Sequence, residues 1–335
     1  MARNTGVHAF STPNSGARPA PKTAVLGLDI GATKILSGVA NRTGEVLAKS
    51  RVATDATTEA ALVAEIDTII GGVSCDVAAI GLGVPGLVMP DGTITVINIP
   101  LEGVHLGRHL REKFGLPAAV ENDADMAALA EYRFGAARGA DTAIVLTLGT
   151  GVGSGVILDG RLFRGGLGSV SELGHMTIDY DGPLCYGACH GRGHVESYVS
   201  GTAIAEAAAD RARLNPDGDL GRAAAEGARL DAETTVRLAM SAEGDARALI
   251  HHVGHLLGVA LASYINIFGP EVIVLGGGVS AAAGLLIEPA RQAVREHAQE
   301  PGASQTRIVR AAFGNEAGMI GAVARALELA EEASN

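Results

Sequence analysis

Two patterns of hydrophobic and polar residues alternate along the chain, one typical of strands and the other typical of helices. Short apolar runs bounded by glycine and asparagine predict strands, and apolar residues three or four positions apart predict helices. In the first part of the chain the predicted strands are 24–29, 35–40, 45–47, 77–84 and 118–120, and the predicted helices are 57–71, 107–114 and 123–134. The pattern begins as an antiparallel meander and continues as alternating helices and strands, which indicates an α/β domain.

The opening meander has a second copy. A strand, a glycine turn and a further strand recur over 143–162, so that Asp29 aligns with Thr147 and Gly31 with Gly149. Helices are predicted after it at 201–213, 230–240, 245–267, 285–297 and 317–332, with one more strand at 272–275. A repeat on this scale predicts two similar α/β halves that present their glycine turns to a shared cleft. The expected domains are a small N-terminal one, 24–135 plus about 314–332, and a larger C-terminal one, 136–313.

Composition narrows the classes of function. The 335 residues include 46 glycines, roughly twice the average share of about 7%. Because glycine costs backbone entropy on folding, we expect the excess where the backbone approaches something closely. Asp and Glu number 37 against 26 Lys and Arg, a net charge of −11, which argues against a nucleic-acid partner.

Targeting and redox signals point to the cytoplasm. Residues 1–23 are rich in Ser, Ala, Pro and Gly without an apolar core, which predicts a disordered tail and not a signal peptide. Three cysteines are an odd number for a disulfide framework and favour a reducing compartment. No run of 18 uninterrupted apolar residues occurs, so we expect no membrane partner.

Three glycine motifs are candidates for holding phosphate or nucleoside. In chain order they are LDIGATK, LTLGTGVGSG and VIVLGGGVS. In each, glycine lets backbone amides or a ligand approach, and an ordinary tight turn or close helix packing is the alternative. In the first motif, Asp29 is a candidate for holding Mg²⁺ through water. The predicted nucleotide-binding residues are Asp29, Gly31, Thr33, Lys34, Thr150, Gly151, Gly153, Gly276, Gly277 and Gly278.

Acidic and amide side chains cluster where a strand leads into a helix. The run is Val120-Glu-Asn-Asp-Ala-Asp125, and Asn122 and Asp123 are good helix N-caps, which is the structural explanation. An aspartate at such a junction is also able to accept a proton from a hydroxyl that attacks a phosphate. The motif alone does not decide between the two roles.

Two cysteines and two histidines lie close together along the chain. The spacing is His175-x9-Cys185-x3-Cys189-x4-His194, with glycines between them that allow tight reversals. This donor set favours a closed tetrahedral Zn²⁺ site in the loop 175–194. A redox pair Cys185–Cys189 and free thiols are the alternatives, and His190 is a substitute for His194 as a ligand.

These motifs in this order resemble the ROK family of sugar kinases and repressors, within the actin-like ATPase superfamily. The resemblance extends over about 24–330 and is carried by LDIGATK, Val84-Pro85-Gly86, ENDA, LTLGTGVGSG, ELGH, the Cys/His cluster with GRGHVE, and VIVLGGGVS. It implies a two-domain, ribonuclease H-like fold that closes over its substrates. The implied activity is ATP-dependent transfer of phosphate to an alcohol group of a hexose, glucose first, as in glycolysis.

The resemblance also implies roles for individual residues. Asp123 corresponds to the base that removes the proton from the sugar 6-hydroxyl. The positions that match sugar-binding residues are Asn98, Asn122, Glu172, His175 and Glu196. His175 would then also ligate the structural zinc, and Mg²⁺ would enter with ATP. A homodimer is the family expectation.

Two departures from the family pattern leave the substrate open. The usual cluster has three cysteines, whereas here the first is displaced and His194 stands at the position of the last. The segment from Asn98 lacks the tryptophan often found near the sugar, and the whole chain contains none. N-acetylmannosamine, fructose and a C7-cyclitol are alternative substrates, and polyphosphate is an alternative donor. A sugar-responsive repressor or non-catalytic sensor is the remote alternative, because only about 22 residues precede the first strand.

Overall fold

The protein divides into two compact units. The structure is a computed structural model that describes residues 24–96, 98–168, 171–187 and 189–334. The predicted tail, 1–23, lies outside these ranges. Of the described residues, the first unit comprises those within 24–134, 164–168 and 316–334, and the second comprises those within 135–163 and 171–315.

Strands and helices alternate along most of the chain. Up to the end of the first long segment they are β1 (Ala24–Ile30), β2 (Lys34–Asn41), β3 (Val46–Ala53), α1 (Glu59–Gly71), β4 (Val77–Val84), β5 (Leu87–Val88), β6 (Ile94–Thr95), α2 (Leu106–Phe114), β7 (Ala118–Asn122) and α3 (Asp123–Phe134). They continue as β8 (Ala143–Leu148), β9 (Val152–Leu158), β10 (Arg161–Leu162), α4 (Glu196–Val199), α5 (Gly201–Leu214), α6 (Asp219–Ala225), α7 (Ala232–Ser241), α8 (Asp245–Phe268), β11 (Val272–Gly276), α9 (Ala283–His297), α10 (Gly302–Gln305), β12 (Arg307–Arg310) and α11 (Ala317–Glu332).

The first unit is built on a five-stranded sheet with the order β3-β2-β1-β4-β7. The first three strands are antiparallel, as the alternating pattern predicts, whereas β4 and β7 run parallel to β1. The carboxyl ends of β1, β4 and β7 therefore meet at one edge of the sheet. In open α/β sheets this edge is where ligands bind.

Helix α11 packs closely on this sheet, which explains one of the glycines. A Cβ atom at Gly27 in β1 would lie 2.5 Å from the backbone nitrogen of Val323 and 2.8 Å from the carbonyl oxygen of Met319. The absence of a side chain thus lets the helix backbone reach the strand. This glycine serves helix packing and not a ligand.

The second unit repeats the sheet of the first. Its order is β10-β9-β8-β11-β12, again with three antiparallel strands followed by two parallel ones. The predicted duplication is confirmed in detail, because Gly31 directly follows β1 and Gly149 directly follows β8. Both chain halves therefore carry a glycine turn at the same place in the same sheet.

Helix α8 is the main core helix of the second unit. Within the described ranges it is also the one helix that length and composition would allow to cross a membrane, with a mean hydropathy of 1.4. Its buried residues include Leu257, Leu261 and Ile265, and the helix packs against α9. Burial against its own unit accounts for its apolar character.

One segment groups differently from the expected domain boundaries. The range 136–313 was expected to form one domain, but Arg164–Val170 groups with the first unit. Arg164 donates from Nε to Oε2 of Glu121 over 3.0 Å. A Cβ at Gly168 would lie 2.8 Å from Cδ of Pro90. An ion pair and a close packing contact thus hold this segment, and neither was visible in the local sequence.

Candidate active site

The glycine turn of the first unit follows β1 and leads into β2. The backbone nitrogen of Gly31 donates to the carbonyl oxygen of Lys34 over 2.9 Å, which closes the turn. The Thr54 hydroxyl donates to the carbonyl oxygen of Gly31 over 2.6 Å. Thr33 lies exposed at the tip. Hydrogen bonds therefore fix the backbone at Gly31, while Thr33 at the tip of the turn is exposed, as a phosphate-contacting turn requires.

Asp29 lies at the carboxyl end of β1, beside the first turn of α11. A Cβ at Gly318 would lie 2.6 Å from the Asp29 carboxyl carbon, so only glycine leaves room for this carboxyl group. Burial, and then the negative charge of Asp123, raise the pKa of Asp29 to about 6, against the opposing effect of Lys34. The structure therefore brings Asp29, Lys34 and Asp123 into one electrostatic neighbourhood within the first unit.

The junction of β7 and α3 fixes Asn122 and Asp123 by different means. The Asn122 side chain accepts from the backbone nitrogen of Ala124 over 2.8 Å and donates to the carbonyl oxygen of Gly86 over 2.8 Å. Asp123 is exposed, and its Oδ1 accepts from the same Ala124 nitrogen over 2.8 Å. Asn122 thus fulfils the predicted capping role. Asp123 presents an oriented carboxylate at the surface of the unit.

Asn98 is the predicted sugar ligand whose role the structure supports least. It is exposed in the segment between β6 and α2. Across the described ranges its side chain makes no hydrogen bond to another residue. Its proposed contact with a sugar stays a prediction.

The glycine turn of the second unit docks on the start of α5. The backbone nitrogen of Gly201 donates to the carbonyl oxygen of Gly149 over 2.7 Å, and the Thr202 hydroxyl donates to that of Thr150 over 2.9 Å. The predicted glycine loop is shorter than expected, because Gly153 lies inside β9 and pairs with Thr147. The helix N-terminus beside the turn adds a positive dipole end, but its first amides already donate to Gly149, Thr150 and the Ser200 hydroxyl.

A cavity of about 680 Å³ joins two of the predicted glycine motifs within the second unit. Gly149 and Thr150 line it on one side and Gly278 on the other. Gly277 has a φ of 77°, and a Cβ there would collide with the Leu148 carbonyl oxygen, whereas nothing lies within 4 Å of a Cβ at Gly278. The first of these glycines thus shapes the backbone, and the second leaves space in a cavity of a size suited to a nucleotide.

Several residues that line this cavity were not anticipated. Arg229, Asp231 and Glu233 come from the segment that leads into α7, and Thr202 comes from the first turn of α5. The chain between the motifs carries no glycine pattern, which is why the first three escaped notice. The sequence Ser200-Gly-Thr202 did carry a signal, because a serine N-cap marks a helix start.

The predicted zinc ligands come together in the second unit. The ligand atoms of His175, Cys185, Cys189 and His194 all lie within 4.8 Å of one another, while His190 is exposed and outside the group. The two Nδ1 atoms are 3.4 Å apart, and the distances Cys185 Sγ to His175 Nδ1 and Cys189 Sγ to His194 Nδ1 are both 3.5 Å. The redox alternative for the two cysteines is not needed to explain this grouping.

These distances fit a tetrahedral ion. Bonds of about 2.05 Å to nitrogen and about 2.3 Å to sulfur give edges of about 3.4 Å between two nitrogens and about 3.6 Å between nitrogen and sulfur. Two thiolates and two imidazoles are a donor set that suits Zn²⁺. The cluster therefore has both the chemistry and the spacing to hold a metal ion.

The metal cluster lies next to two of the predicted sugar ligands. Nε2 of His175, opposite the ring atom that faces the cluster, is 3.9 Å from a carboxylate oxygen of Glu172. Glu196 accepts from the backbone nitrogen of Val152 over 2.7 Å, and its other oxygen is 3.7 Å from Sγ of Cys185. The structure thus groups Glu172, His175 and Glu196 around the cluster.

Comparison with known proteins gives a consistent assignment. The chain is 32% identical to a glucokinase of Streptomyces coelicolor over 318 residues, which cover 90% of this chain and 97% of the relative. The glucokinase of Streptomyces griseus in complex with glucose and AMPPNP has a TM-score of 0.76 at 32% identity and covers 91% of this chain and 99% of its own. For the ROK hexokinase of Thermus thermophilus the TM-score is 0.75 at 33% identity, with 92% and 99% covered.

A repressor is also related to the chain, and its sequence match covers a shorter range. The xylose repressor of Bacillus subtilis is 28% identical over 243 residues, which cover 72% of this chain and 59% of the repressor. The family model described as ROK family matches residues 25–328. This chain, with its mixed α/β, actin-like ATPase fold, belongs to the ROK family.

Proposed function

We propose that the protein is an ATP-dependent hexose kinase that phosphorylates the 6-hydroxyl of glucose. The observation that carries the proposal is the position of Asp123, an exposed carboxylate held at the start of α3 within electrostatic reach of Asp29. Similarity to glucokinases over nine-tenths of the chain supports the same conclusion. The repressor similarity covers 59% of that relative and supports a sensor less well.

Asp123 acts as the general base in this proposal. Its Oδ1 is held by the Ala124 amide, which leaves the carboxylate oriented toward an incoming hydroxyl. The carboxylate form of the aspartate accepts the proton as the phosphoryl group moves in line to the sugar oxygen. Asn122, anchored to Gly86, orients the neighbouring sugar hydroxyls together with Asn98.

The nucleotide phosphates meet backbone amides and few charged side chains. In the second unit these amides come from the turn 149–151, the positive dipole end of α5 lies beside it, and Gly278 leaves space for the nucleoside. In the first unit the turn 31–34 supplies Thr33 and Lys34. Mg²⁺ bound with ATP offsets the charge on the phosphate oxygens, and Asp29 is the residue that would hold it through water.

The Cys/His cluster positions sugar-binding side chains. A zinc ion on His175, Cys185, Cys189 and His194 fixes the His175 ring, whose Nε2 then points toward Glu172. Glu196 is fixed independently by the Val152 amide. Such an ion organises the groups that bind the sugar and takes no part in phosphoryl transfer.

A coupled assay of ADP release tests the proposal. Glucose, N-acetylmannosamine, fructose, mannose and a C7-cyclitol are compared at matched concentrations, with ATP and with polyphosphate as donors. The highest kcat/KM is expected for glucose with ATP. Turnover of none of the sugars would refute the kinase assignment, and preference for another member of the panel would replace glucose while keeping the catalytic residues.

Assembly and location complete the proposal. We propose a homodimer in the cytoplasm. Cys75, Cys185 and Cys189 form no disulfide with one another, which suits a reducing compartment. Light scattering on the purified protein tests the dimer, and a monomer mass at the concentration of the activity assay would contradict it.

A further inference from the structure

A second cavity lies in the first unit and shares no residue with the candidate active site. Its volume is about 410 Å³. The loop after β5, the start of α2, strand β7 and two side chains from distant parts of the chain, Arg164 and Arg325, form its walls. A cavity of this size is large enough for a small metabolite.

The charge around this cavity is opposite to that of the whole protein. Four arginines line it, Arg108, Arg111, Arg164 and Arg325, against two carboxylates, Asp91 and Glu121. The chain as a whole carries a net charge of −11. An excess of guanidinium groups in one concave site of an acidic protein favours an anionic ligand.

Two of the arginines are neutralised within the unit. Glu121 is 9% exposed and accepts from Nε of Arg164 over 3.0 Å and from Nε of Arg325 over 3.2 Å. Arg325 also donates to Glu328 over 3.2 Å. This part of the cavity is a rigid ion-pair network and carries little net charge toward a ligand.

The arginines of α2 are not neutralised in this way. Arg111 donates to the carbonyl oxygen of Ala118 over 2.8 Å, which positions its guanidinium without offsetting its charge. Arg108 is exposed and, within the described part of the chain, has neither a hydrogen bond nor an ion pair. Asp91, the remaining carboxylate, accepts from the Thr93 backbone nitrogen over 2.8 Å. The α2 side therefore carries two guanidinium charges against the one carboxylate of Asp91, which also interacts electrostatically with His105.

The start of α2 adds two further groups that suit an anion. The helix has nine residues and its N-cap residue, His105, makes no capping hydrogen bond, so the first backbone amides keep their donor capacity. Nδ1 of His105 is buried without a hydrogen-bond partner among the described residues, and His105 lines the same cavity. His105 as a whole is only partly buried, so it adds a polar side chain to the wall of this cavity.

We propose that this cavity binds a small phosphorylated metabolite, with Arg108, Arg111 and His105 around the phosphate. A phosphate group offers three oxygens to two guanidinium groups, an imidazole and the helix amides, whereas a carboxylate offers two. The rest of the ligand lies against Val88 and Leu329. Binding at this cavity does not depend on the proposed function.

Calorimetric titration of the full-length protein in magnesium-free buffer of low ionic strength tests the site. Inorganic phosphate and glucose 6-phosphate are the probes, and glucose is the uncharged control. The variants are Arg108→Gln, Arg111→Gln and His105→Gln. The matched control is Arg51→Gln, an exposed arginine of β3 in the same unit. Hydrogen exchange of the α2 amides is measured with and without each probe.

At least one phosphate probe is expected to bind and to protect the first turn of α2. Arg108→Gln is expected to weaken the affinity at least about tenfold, and Arg51→Gln less than about twofold. Because glucose 6-phosphate is also the product of the proposed kinase, only the binding that Arg108→Gln weakens is assigned to this cavity. If that part is tighter for glucose 6-phosphate, the ligand is an ester, whereas equal binding identifies the phosphate group alone. The proposal is overturned if neither probe binds, or if Arg108→Gln changes the affinity no more than Arg51→Gln. Because no turnover is measured, failure here leaves the kinase assignment untouched.

Discussion

The carboxyl groups of Asp29 and Asp123 are electrostatically coupled within the first unit. Asp29 ends β1 and Asp123 follows β7, and both strands run parallel to β4 with their carboxyl ends at the same edge of the sheet. Burial first, and the charge of Asp123 second, raise the pKa of Asp29 to about 6, although Lys34 opposes the shift. Without a bound cation, ionisation of the Asp29 carboxyl group therefore lowers the free energy of unfolding.

The first prediction concerns the pH dependence of stability and the substitution Asp29→Asn. The pKa of Asp29 is raised from the ordinary aspartate value of 3.8 to about 6 in the folded protein, so the folded state binds more protons between these values. The contribution of Asp29 to stability thus falls as the pH rises from about 4 to about 6. In magnesium-free buffer at pH 8, the free energy of unfolding of Asp29→Asn should exceed that of the wild type by up to about 3 kcal/mol.

Urea denaturation from pH 4 to pH 8 measures this difference. The gain should disappear toward pH 4, where the carboxyl group is protonated in both states. Asp76→Asn removes an exposed carboxylate of the same unit and serves as the control. A gain of equal size at pH 4 and pH 8 would show that Asp29 has an ordinary pKa. Asp29→Asn should also reduce kinase activity, because Asp29 is the residue proposed to hold Mg²⁺.

A further prediction tests Asp123 as the base. Asp123→Asn keeps the size of the side chain and an oxygen for the Ala124 amide, but it removes the group that accepts the proton. The value of kcat should fall by about 10²-fold or more, the usual contribution of a general base, while glucose binding changes little. Steady-state kinetics and equilibrium dialysis with labelled glucose measure the two effects, with Asp76→Asn again as control. Substantial remaining turnover would make the assignment of the base wrong.

The sequence predicted the repeated architecture because its signals are local. A glycine turn between two apolar runs defines a hairpin within ten residues, so Gly31 and Gly149 revealed the duplicated sheets. Glu121 was different, since it was recognised only as part of a strand-to-helix junction. Its partners Arg164 and Arg325 are 43 and 204 residues away along the chain. Ion pairs of such separation depend on tertiary packing and leave no local pattern.

The choice between His190 and His194 shows the same limit in the metal cluster. The sequence favoured His194, four residues beyond Cys189 in the pattern, and kept the adjacent His190 as a substitute. In the structure, a bridge between Thr177 and His194 lays one segment of the loop beside the other. This pairing brings His194 to His175 and leaves His190 at the surface. The position of His194 in the cluster therefore depends on a contact between two segments of the loop, which the spacing along the sequence does not reveal.

Metal content provides a prediction for this cluster. The purified protein should contain about one zinc ion per chain, measured by mass spectrometry of the element. Cys189→Ser and His194→Ala should lose the metal and unfold at a lower temperature, because a bound structural ion stabilises the fold. His190→Ala and Cys75→Ser should keep both the metal and the unfolding temperature. Loss of zinc in His190→Ala but not in His194→Ala would reverse the ligand assignment.

The nucleotide cavity can be tested by filling it. Nothing lies within 4 Å of a Cβ at Gly278, and this glycine has no positive φ, so Gly278→Val should fold normally and project its methyl groups into the cavity shared with Thr150. The KM for ATP should rise at least about tenfold, while the KM for glucose changes less than about twofold, because ground-state binding of one substrate is lost. Gly284→Val is the matched control, since it also has open space at Cβ and does not line this cavity. An unchanged KM for ATP in a folded Gly278→Val protein would place the nucleoside elsewhere.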